Sequence, residues 1–219
     1  EDPRRQRQMC IRDRYKLHSK VKISNATQEY TVASILGEGT IERIDETGMP
    51  GAIRTFEHGA FYIDPRSVHM QVRAVLSNDV YPSLLIDAGM NEQTIENYNF
   101  VRLWLGIPEV GTDMQSGECF PLDFNLDMLD AIDFKKGCYI GQEVTARSKH
   151  RGTRKKKLYP ITLDEGTDVP PINTAVVVND KKIGIFCSSS KNIGLALLNI
   201  EPLKDCLLYT SDAADEDLR

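Results

Sequence analysis

The sequence predicts an α+β fold that ends in a small β-rich unit. Apolar and polar residues alternate as in strands at residues 29–39, 59–66 and 68–77, and glycine or an Asp-Pro turn interrupts these segments. A helical pattern follows at residues 91–106. Beyond Lys155 the chain consists of short β-rich segments. These three observations favour an α+β region followed by a barrel-like unit, with a boundary in the basic segment near residue 154.

The remaining elements follow from turn residues and helix signals. In the helix over 91–106, the apolar face is predicted to contain Ile95, Tyr98, Val101 and Leu105. Turn formers at 107–125 predict a long ordered loop, and 126–134 predicts a short helix. A helix is expected to begin at Gln142, and Asn179-Asp180 predicts a hairpin between two apolar segments.

The two ends differ from the middle and mirror each other at the nucleotide level. Codons for residues 4–13 can be chosen so that their reverse complement encodes residues 206–215. This pattern is typical of translated sequencing-library adapter, so we expect residues 1–14 and 206–219 not to be native and the N-terminal part to be truncated. The predicted native regions are 15–154, an α+β region, and 155–205, the barrel-like domain.

The composition and the cysteine spacing argue against a membrane-spanning protein, a disulfide-rich protein and a chain that holds its own metal site. Hydrophobic residues make up 41% of the chain, and no apolar segment approaches the roughly 20 residues of a membrane span. The formal net charge of -5 depends partly on the charged ends. Away from the ends the cysteines are Cys119, Cys138 and Cys187, with no C-x-x-C pair. This spacing argues against a disulfide framework or a zinc or iron–sulfur site built from this chain alone, and it favours a reducing compartment.

The segment FKKGCYIGQEVTAR, residues 134–147, contains the candidate reactive residue. Cys138 precedes the expected helix and follows Lys135 and Lys136, and both features favour a thiolate. The alternative is a small buried apolar residue, which is the common role of a single cysteine. Cys187 lies in an apolar strand and is expected in the core.

A basic segment follows the cysteine. Its cations could hold an anionic ligand or an RNA backbone, or could form a solvated surface at a domain boundary. No aromatic residues are interleaved for base stacking, which weakens the RNA alternative. No metal site is expected, since His150 has no partner at metal-ligand spacing. The residues of this segment are Arg147, Lys149, His150, Arg151, Arg154, Lys155, Lys156 and Lys157.

Taken together, residues 97–198 closely resemble the YgfZ family, the folate-binding, iron–sulfur cluster maintenance relatives of the glycine-cleavage T-protein. Over residues 15–90 the resemblance is weaker, although the Asp64-Pro65-Arg66 turn before a strand fits the family pattern. The K-G-C-Y-x-G-Q-E motif is complete at Lys136, Gly137, Cys138, Tyr139, Gly141, Gln142 and Glu143.

The resemblance implies T-protein-like domains around a central channel that holds tetrahydrofolate or a one-carbon derivative, followed by the C-terminal β-barrel. It implies that Cys138 is the functional cysteine of a monomer that helps to assemble or repair client iron–sulfur enzymes, including tRNA-modifying ones. The location would be the cytoplasm of a bacterium or the mitochondrial matrix of a eukaryote. By analogy, the expected folate contacts are Arg102, Glu109, Asp123 and Arg147.

Two alternatives remain open at this stage. An aminomethyltransferase of glycine cleavage would use a catalytic aspartate in its N-terminal half, and no such residue can be assigned here. That activity is therefore not expected, although a folate-dependent transferase-like reaction stays open. An RNA-binding module would use the basic segment, and direct nucleic-acid binding is disfavoured by the missing aromatic residues.

Overall fold

The structure of the chain is a computed structural model that describes residues 19–115, 117, 119–137, 141–150, 152, 154–164, 166 and 168–206. Within these ranges, two four-stranded antiparallel sheets are joined by helices, which agrees with the predicted α+β class. None of the helices in the described ranges combines the length and apolar character needed to cross a membrane.

The N-terminal sheet has the strand order β1-β4-β3-β2. Its central strand β4 alternates between buried and half-buried residues, as expected for a strand with one covered face. The short helix α1, Ser83–Asp87, contributes Leu84 and Leu85 to the covered side. The strands are β1 Tyr30–Ile35, β2 Ile53–Phe56, β3 Gly59–Ile63 and β4 Val72–Ser77. A 3-10 helix, Val68–Met70, lies between β3 and β4.

Helix α2, Ile95–Trp104, packs on the C-terminal sheet. The predicted helix is present, but the predicted buried face is wrong in part. Ile95 is 68% exposed, whereas Leu103 and Arg102 near the other end are buried. The reason is that only the C-terminal half of the helix reaches the hydrophobic core beside the C-terminal sheet, where Leu103 joins Phe124 and Leu158.

The C-terminal sheet has the strand order β5-β8-β7-β6 and contains the predicted hairpin. Asn179 and Asp180 have φ values of 48° and 61°, which are typical of a two-residue hairpin turn. Gly184 lies against the carbonyl oxygen of Leu197, so a side chain there would clash with β8. The strands are β5 Lys156–Thr162, β6 Ala175–Val178, β7 Lys181–Ser190 and β8 Ile193–Asn199, and α4, Ile200–Cys206, follows them.

After α2, the described residues up to Gly141 are mainly loop, with one 3-10 helix, Pro121–Phe124. The short helix predicted over 126–134 is wrong, because turns occupy most of this segment. Asp130 has a positive φ of 52°, which a right-handed helix does not allow. Helix α3, Gln142–His150, begins where the sequence predicts.

Candidate functional site

Residues on both sides of Cys138 line one small cavity. Cys138 and Tyr139 themselves lie outside the described residues. The cavity has a volume of about 350 Å³, and Lys136 before the cysteine and Gly141 after it both face it. The other lining residues are Pro121, Ala131, Ile132, Asp133, Val144 and Thr145. The two ends of the cysteine segment therefore open onto a shared, partly apolar pocket.

Each end of that segment is held by a local turn. Before it, the Asp133 carboxylate accepts hydrogen bonds from the backbone N–H groups of Lys135 and Lys136, at 2.7 and 3.1 Å. After it, Gly141 has φ 86°, a conformation that glycine adopts without strain. The Gly141 carbonyl accepts bonds from both the backbone N–H and the hydroxyl of Thr145. These two bonds close the first turn of α3. The chain thus enters and leaves the cysteine segment at defined positions.

A buried carboxylate attaches the far end of α3 to the segment that precedes the motif. Asp127 Oδ2 lies 2.8 Å from Lys149 Nζ, and its Oδ1 lies 2.6 Å from Arg154 Nη2. Burial acts to raise the pKa of Asp127, but the bonds and charges of the two cations outweigh it and hold that pKa below its usual value. Lys149 also lies over the Phe134 ring. Asp127 therefore fixes the helix that carries the second half of the motif.

Several cations of the basic segment are engaged within the chain. Besides Lys149 and Arg154, Arg147 bonds Glu143 at 2.7 Å on the exposed face of α3, and Lys157 lies over the Tyr159 ring. Arg151 lies outside the described residues. These contacts give much of the basic segment a structural role at the junction of the two regions.

A second, larger cavity of about 1120 Å³ lies between β1, the loop that follows it, α1 and the start of α2. Its wall combines apolar side chains with the rings of Tyr81 and Tyr98 and the guanidinium groups of Arg43 and Arg73. Such a mixture is typical of sites for small organic ligands, whose volumes are about 300–1,000 Å³. The cavity is therefore large enough for a ligand with a flat ring and an anionic group.

A buried ionic cluster backs this larger cavity. The Asp64 carboxylate is fully buried and accepts two bonds from the Arg66 side chain, at 3.0 and 2.7 Å. Burial acts to raise the pKa of Asp64, yet Arg66 and then Arg73 outweigh it, so that pKa is lowered. Arg73 also donates a 3.1 Å bond from Nη2 to the Tyr98 hydroxyl. This cluster positions one guanidinium and one phenol at the cavity wall.

The structure places the four expected folate contacts in different environments. Glu109 lines the larger cavity. Arg102 is buried and lies 3.5 Å from Glu109, but its closest partner is Asp113 at 2.7 Å. Asp123 is half-buried, and this burial raises its pKa despite nearby Lys156 and Arg154. Arg147 is exposed on α3. Arg102 and Glu109 are thus brought together, whereas neither Asp123 nor Arg147 lines the larger cavity.

Cys187 belongs to the core, as expected. Cys187 is buried in β7, and burial, followed by the charge of Asp113, raises its pKa to about 11. A thiol with so high a pKa carries very little thiolate near neutral pH. Cys119 is half-buried against the same core. Among the described residues, no group of three or more His, Cys, Asp or Glu side chains is placed to hold a metal ion.

Sequence reasoning missed three residues that organise these sites. Asp113 and Asp127 sit in loops whose partners are far along the chain or on another element, so no local pattern reveals them. Arg73 occupies a half-buried position in the regular alternation of β4, so it gave no signal by itself. The Asp64-Pro65-Arg66 turn was the available clue, because a charged pair beside a strand often indicates a buried ionic contact.

The sequence of this chain is similar to one family model and to several proteins named iron-sulfur cluster assembly factors. The family model described as the CAF17 C-terminal beta-barrel domain matches residues 155–216, which confirms the predicted C-terminal barrel. A protein of Dictyostelium discoideum named iron-sulfur cluster assembly factor IBA57 homolog, mitochondrial, is 31% identical over 169 residues, which are 76% of this chain and 40% of that protein.

Two mammalian relatives show the same pattern. The iron-sulfur cluster assembly factor IBA57, mitochondrial, of Mus musculus is 34% identical over 68% of this chain and 42% of its own length. The protein of that name from Homo sapiens is 34% identical over 64% of this chain and 40% of its own length. The chain thus spans about 40% of the length of these curated relatives. It is similar to mitochondrial iron–sulfur cluster assembly factors and carries a region that matches the CAF17 barrel.

Proposed function

We propose that this chain is part of an accessory factor that assembles or repairs iron–sulfur enzymes, binds tetrahydrofolate and acts through Cys138. The observation that carries the proposal is the similarity to proteins named iron–sulfur cluster assembly factors, which extends over 76% of the chain. The relatives found are named IBA57 and the matching domain CAF17. The narrower likeness to YgfZ, with tRNA-modifying clients and a T-protein-like ring of domains, belongs to this proposal.

The larger cavity supports folate binding. A folate combines a flat pterin ring, a benzoyl ring and a glutamate that carries two carboxylates. The cavity offers apolar walls and two tyrosine rings for the flat part, and Arg43 and Arg73 for the anionic part. The donor set therefore fits the cofactor. When bound, the folate would supply a one-carbon unit or its acceptor, while Arg73, Tyr98 and Glu109 would bind and orient it.

The smaller cavity supports a functional Cys138. Lys136 and Gly141 bring both ends of the cysteine segment to its wall, next to the start of α3. A thiol placed before a helix N-terminus and close to lysines is expected to ionise readily. An accessible thiolate in this position can act as a nucleophile or as a ligand to a cluster during assembly. Since the relatives are named mitochondrial, we propose the mitochondrial matrix as the location.

A chimera tests the proposal without depending on the ends of this chain. In the human relative, the aligned segment would be replaced by the corresponding residues of this chain, and the chimera would be expressed in cells that lack the relative. The expected result is recovery of the activity of a [4Fe–4S] enzyme. A soluble chimera that restores no such activity, or that restores glycine cleavage instead, would contradict the proposed role.

A further inference from the structure

The ionic cluster of Asp64, Arg66 and Arg73 behind the larger cavity has a net charge of +1, because it contains one carboxylate and two guanidinium groups. Asp64 is its buried carboxylate, and Arg66 already engages both oxygens of that carboxylate. Arg73 Nε lies 3.4 Å from Asp64 Oδ2. Nevertheless, this buried Nε has no hydrogen-bond partner among the described residues. One carboxylate therefore faces two guanidinium groups, and the second of these is incompletely satisfied.

The incompletely satisfied guanidinium is the one that reaches the cavity. Arg73 lines the cavity and its side chain is 26% exposed, whereas Arg66 is absent from the lining. Tyr98 also lines the cavity, and its hydroxyl, which accepts a bond from Arg73 Nη2, keeps its own proton for donation. A guanidinium N–H and a phenol O–H from adjacent side chains are two donors that one carboxylate can accept.

We propose that Arg73 and Tyr98 form a carboxylate-binding subsite that holds the glutamate end of a folate in the larger cavity. The identity of the ligand rests on the proposed function, whereas the anionic character rests on the cluster itself. The bound carboxylate supplies the negative charge that the cluster of Asp64, Arg66 and Arg73 lacks. Only 26% of the Arg73 side chain is exposed, so water solvates its charge only in part, and this compensation favours an anionic ligand over a neutral one.

Other charges of the cavity are consistent with this assignment. Glu109 is held by Arg102 at 3.5 Å, so its charge is partly compensated. Arg43, Glu38 and Glu92 also line the cavity, but they are exposed, where water screens their charges. Gln71 accepts bonds from Gly37 N–H and Thr40 and thereby holds the loop that forms one side of the cavity. Arg73 and Tyr98 thus remain the donors anchored in a rigid part of the wall.

The test compares two probes that differ only in charge at the glutamate end: 5-formyltetrahydrofolate and its glutamate dimethyl ester. Binding of each would be measured by calorimetry to the parent chain, Arg73→Gln and Lys182→Gln. Lys182 lies exposed on β7, outside the cavity, and gives a matched control for loss of one positive charge. The parent and the control should bind the acid about tenfold or more tightly than the ester. Arg73→Gln should lose this preference and bind the ester as the parent does.

A second variant, Tyr98→Phe, keeps the test possible if Arg73→Gln does not fold. Tyr98→Phe removes one hydroxyl and keeps the ring, and it should reduce the preference for the acid by about threefold or more. An unchanged preference in Arg73→Gln, or in Tyr98→Phe where Arg73→Gln does not fold, would overturn the subsite.

A measurement without folate distinguishes failure of the carboxylate subsite from failure of the proposed folate binding. Glutarate, which copies the two carboxylates of the glutamate, should raise the Tm of the parent and of Lys182→Gln but not of Arg73→Gln. If neither folate probe binds the parent while glutarate still stabilises it through Arg73, the folate proposal fails and the carboxylate subsite stands. If neither folate nor glutarate interacts with the parent, the subsite is refuted.

Discussion

Arg102 and Asp113 form an ion pair that is almost wholly buried: Nη1 lies 2.7 Å from Oδ2, and the side chains are 3% and 0% exposed. Asp113 also accepts bonds from the Glu109 backbone N–H and from the Ser188 hydroxyl. One carboxylate therefore connects α2, the loop that follows it and β7. This arrangement gives Arg102 a structural role next to Glu109, which lines the larger cavity, whereas Arg102 itself is absent from the lining. Mutation of Arg102 tests whether it contacts folate, as the sequence led us to expect.

Replacing Arg102 by leucine should destabilise the chain by about 3–5 kcal/mol, because Asp113 would remain buried without its cation. Urea unfolding measures this change. Arg147→Leu is the control, since it breaks an exposed pair worth about 0.5 kcal/mol. Loss of 5-formyltetrahydrofolate binding in Arg102→Leu at unchanged stability would show instead that Arg102 is a ligand contact.

Asp127→Asn should lower the free energy of unfolding by about 1–3 kcal/mol, since the side chain is buried and bonds two cations. Glu143→Gln, in the exposed pair with Arg147, should change it by about 0.5 kcal/mol or less. Equal effects of the two variants in urea unfolding would argue against Asp127 as the anchor of α3.

Native Cys187 should resist alkylation. With a pKa of about 11, its thiolate fraction near pH 7.5 is about a hundredfold or more below that of an ordinary exposed cysteine. Mass spectrometry after iodoacetamide treatment should show Cys138 modified at least about a hundredfold faster than Cys187. Comparable rates in the folded protein would contradict the buried position of Cys187.

The same thiol should contribute to alkaline unfolding. Its folded pKa is raised above the unfolded value, so the stability it contributes is complete below about pH 8.5 and is lost as the pH rises through about 11. Cys187→Ala should therefore show a smaller loss of unfolding free energy between pH 8.5 and 11 than the parent does. An unchanged slope in this range would show that other groups control alkaline unfolding.

Asp64 should contribute to the loss of stability at acid pH. Its folded pKa is lowered, so the stability it contributes is present above the unfolded pKa of about 3.9 and is lost as the pH falls through the lowered value. Asp64→Asn should be less stable than the parent at pH 7, and the difference should shrink towards pH 2. A difference in unfolding free energy that is constant with pH would show that the carboxylate charge is not what stabilises this turn.

Local sequence patterns were sufficient where a few neighbouring residues determine the structure. Asn179-Asp180 specifies the hairpin by its tolerance of positive φ, and Gln142 begins α3 directly after a glycine. Cys187 could be placed in the core because it directly follows the mainly apolar residues 183–186 of its strand. These features depend on contacts close in sequence.

Features that depend on distant partners could not be predicted. Arg102 was expected only as a folate contact. Its buried ion pair could not be predicted, because Asp113 lies in a loop and Ser188 lies on a strand 75 residues further on. Likewise, β2, α1 and α4 were missed, since each is short and is stabilised mainly by packing against other elements. The two cavities result from how these elements meet, which no single segment encodes.

We expect the iron–sulfur assembly role to depend on Cys138, and serine substitution tests this dependence. In the human chimera, Cys138→Ser and Cys119→Ser would be compared with the parent for recovery of [4Fe–4S] enzyme activity, with protein levels matched. Cys119 is the control because it lies outside the motif and is half-buried. Recovery by the parent and by Cys119→Ser, but not by Cys138→Ser, is the expected result. Full recovery by Cys138→Ser would show that the assembly role does not depend on Cys138.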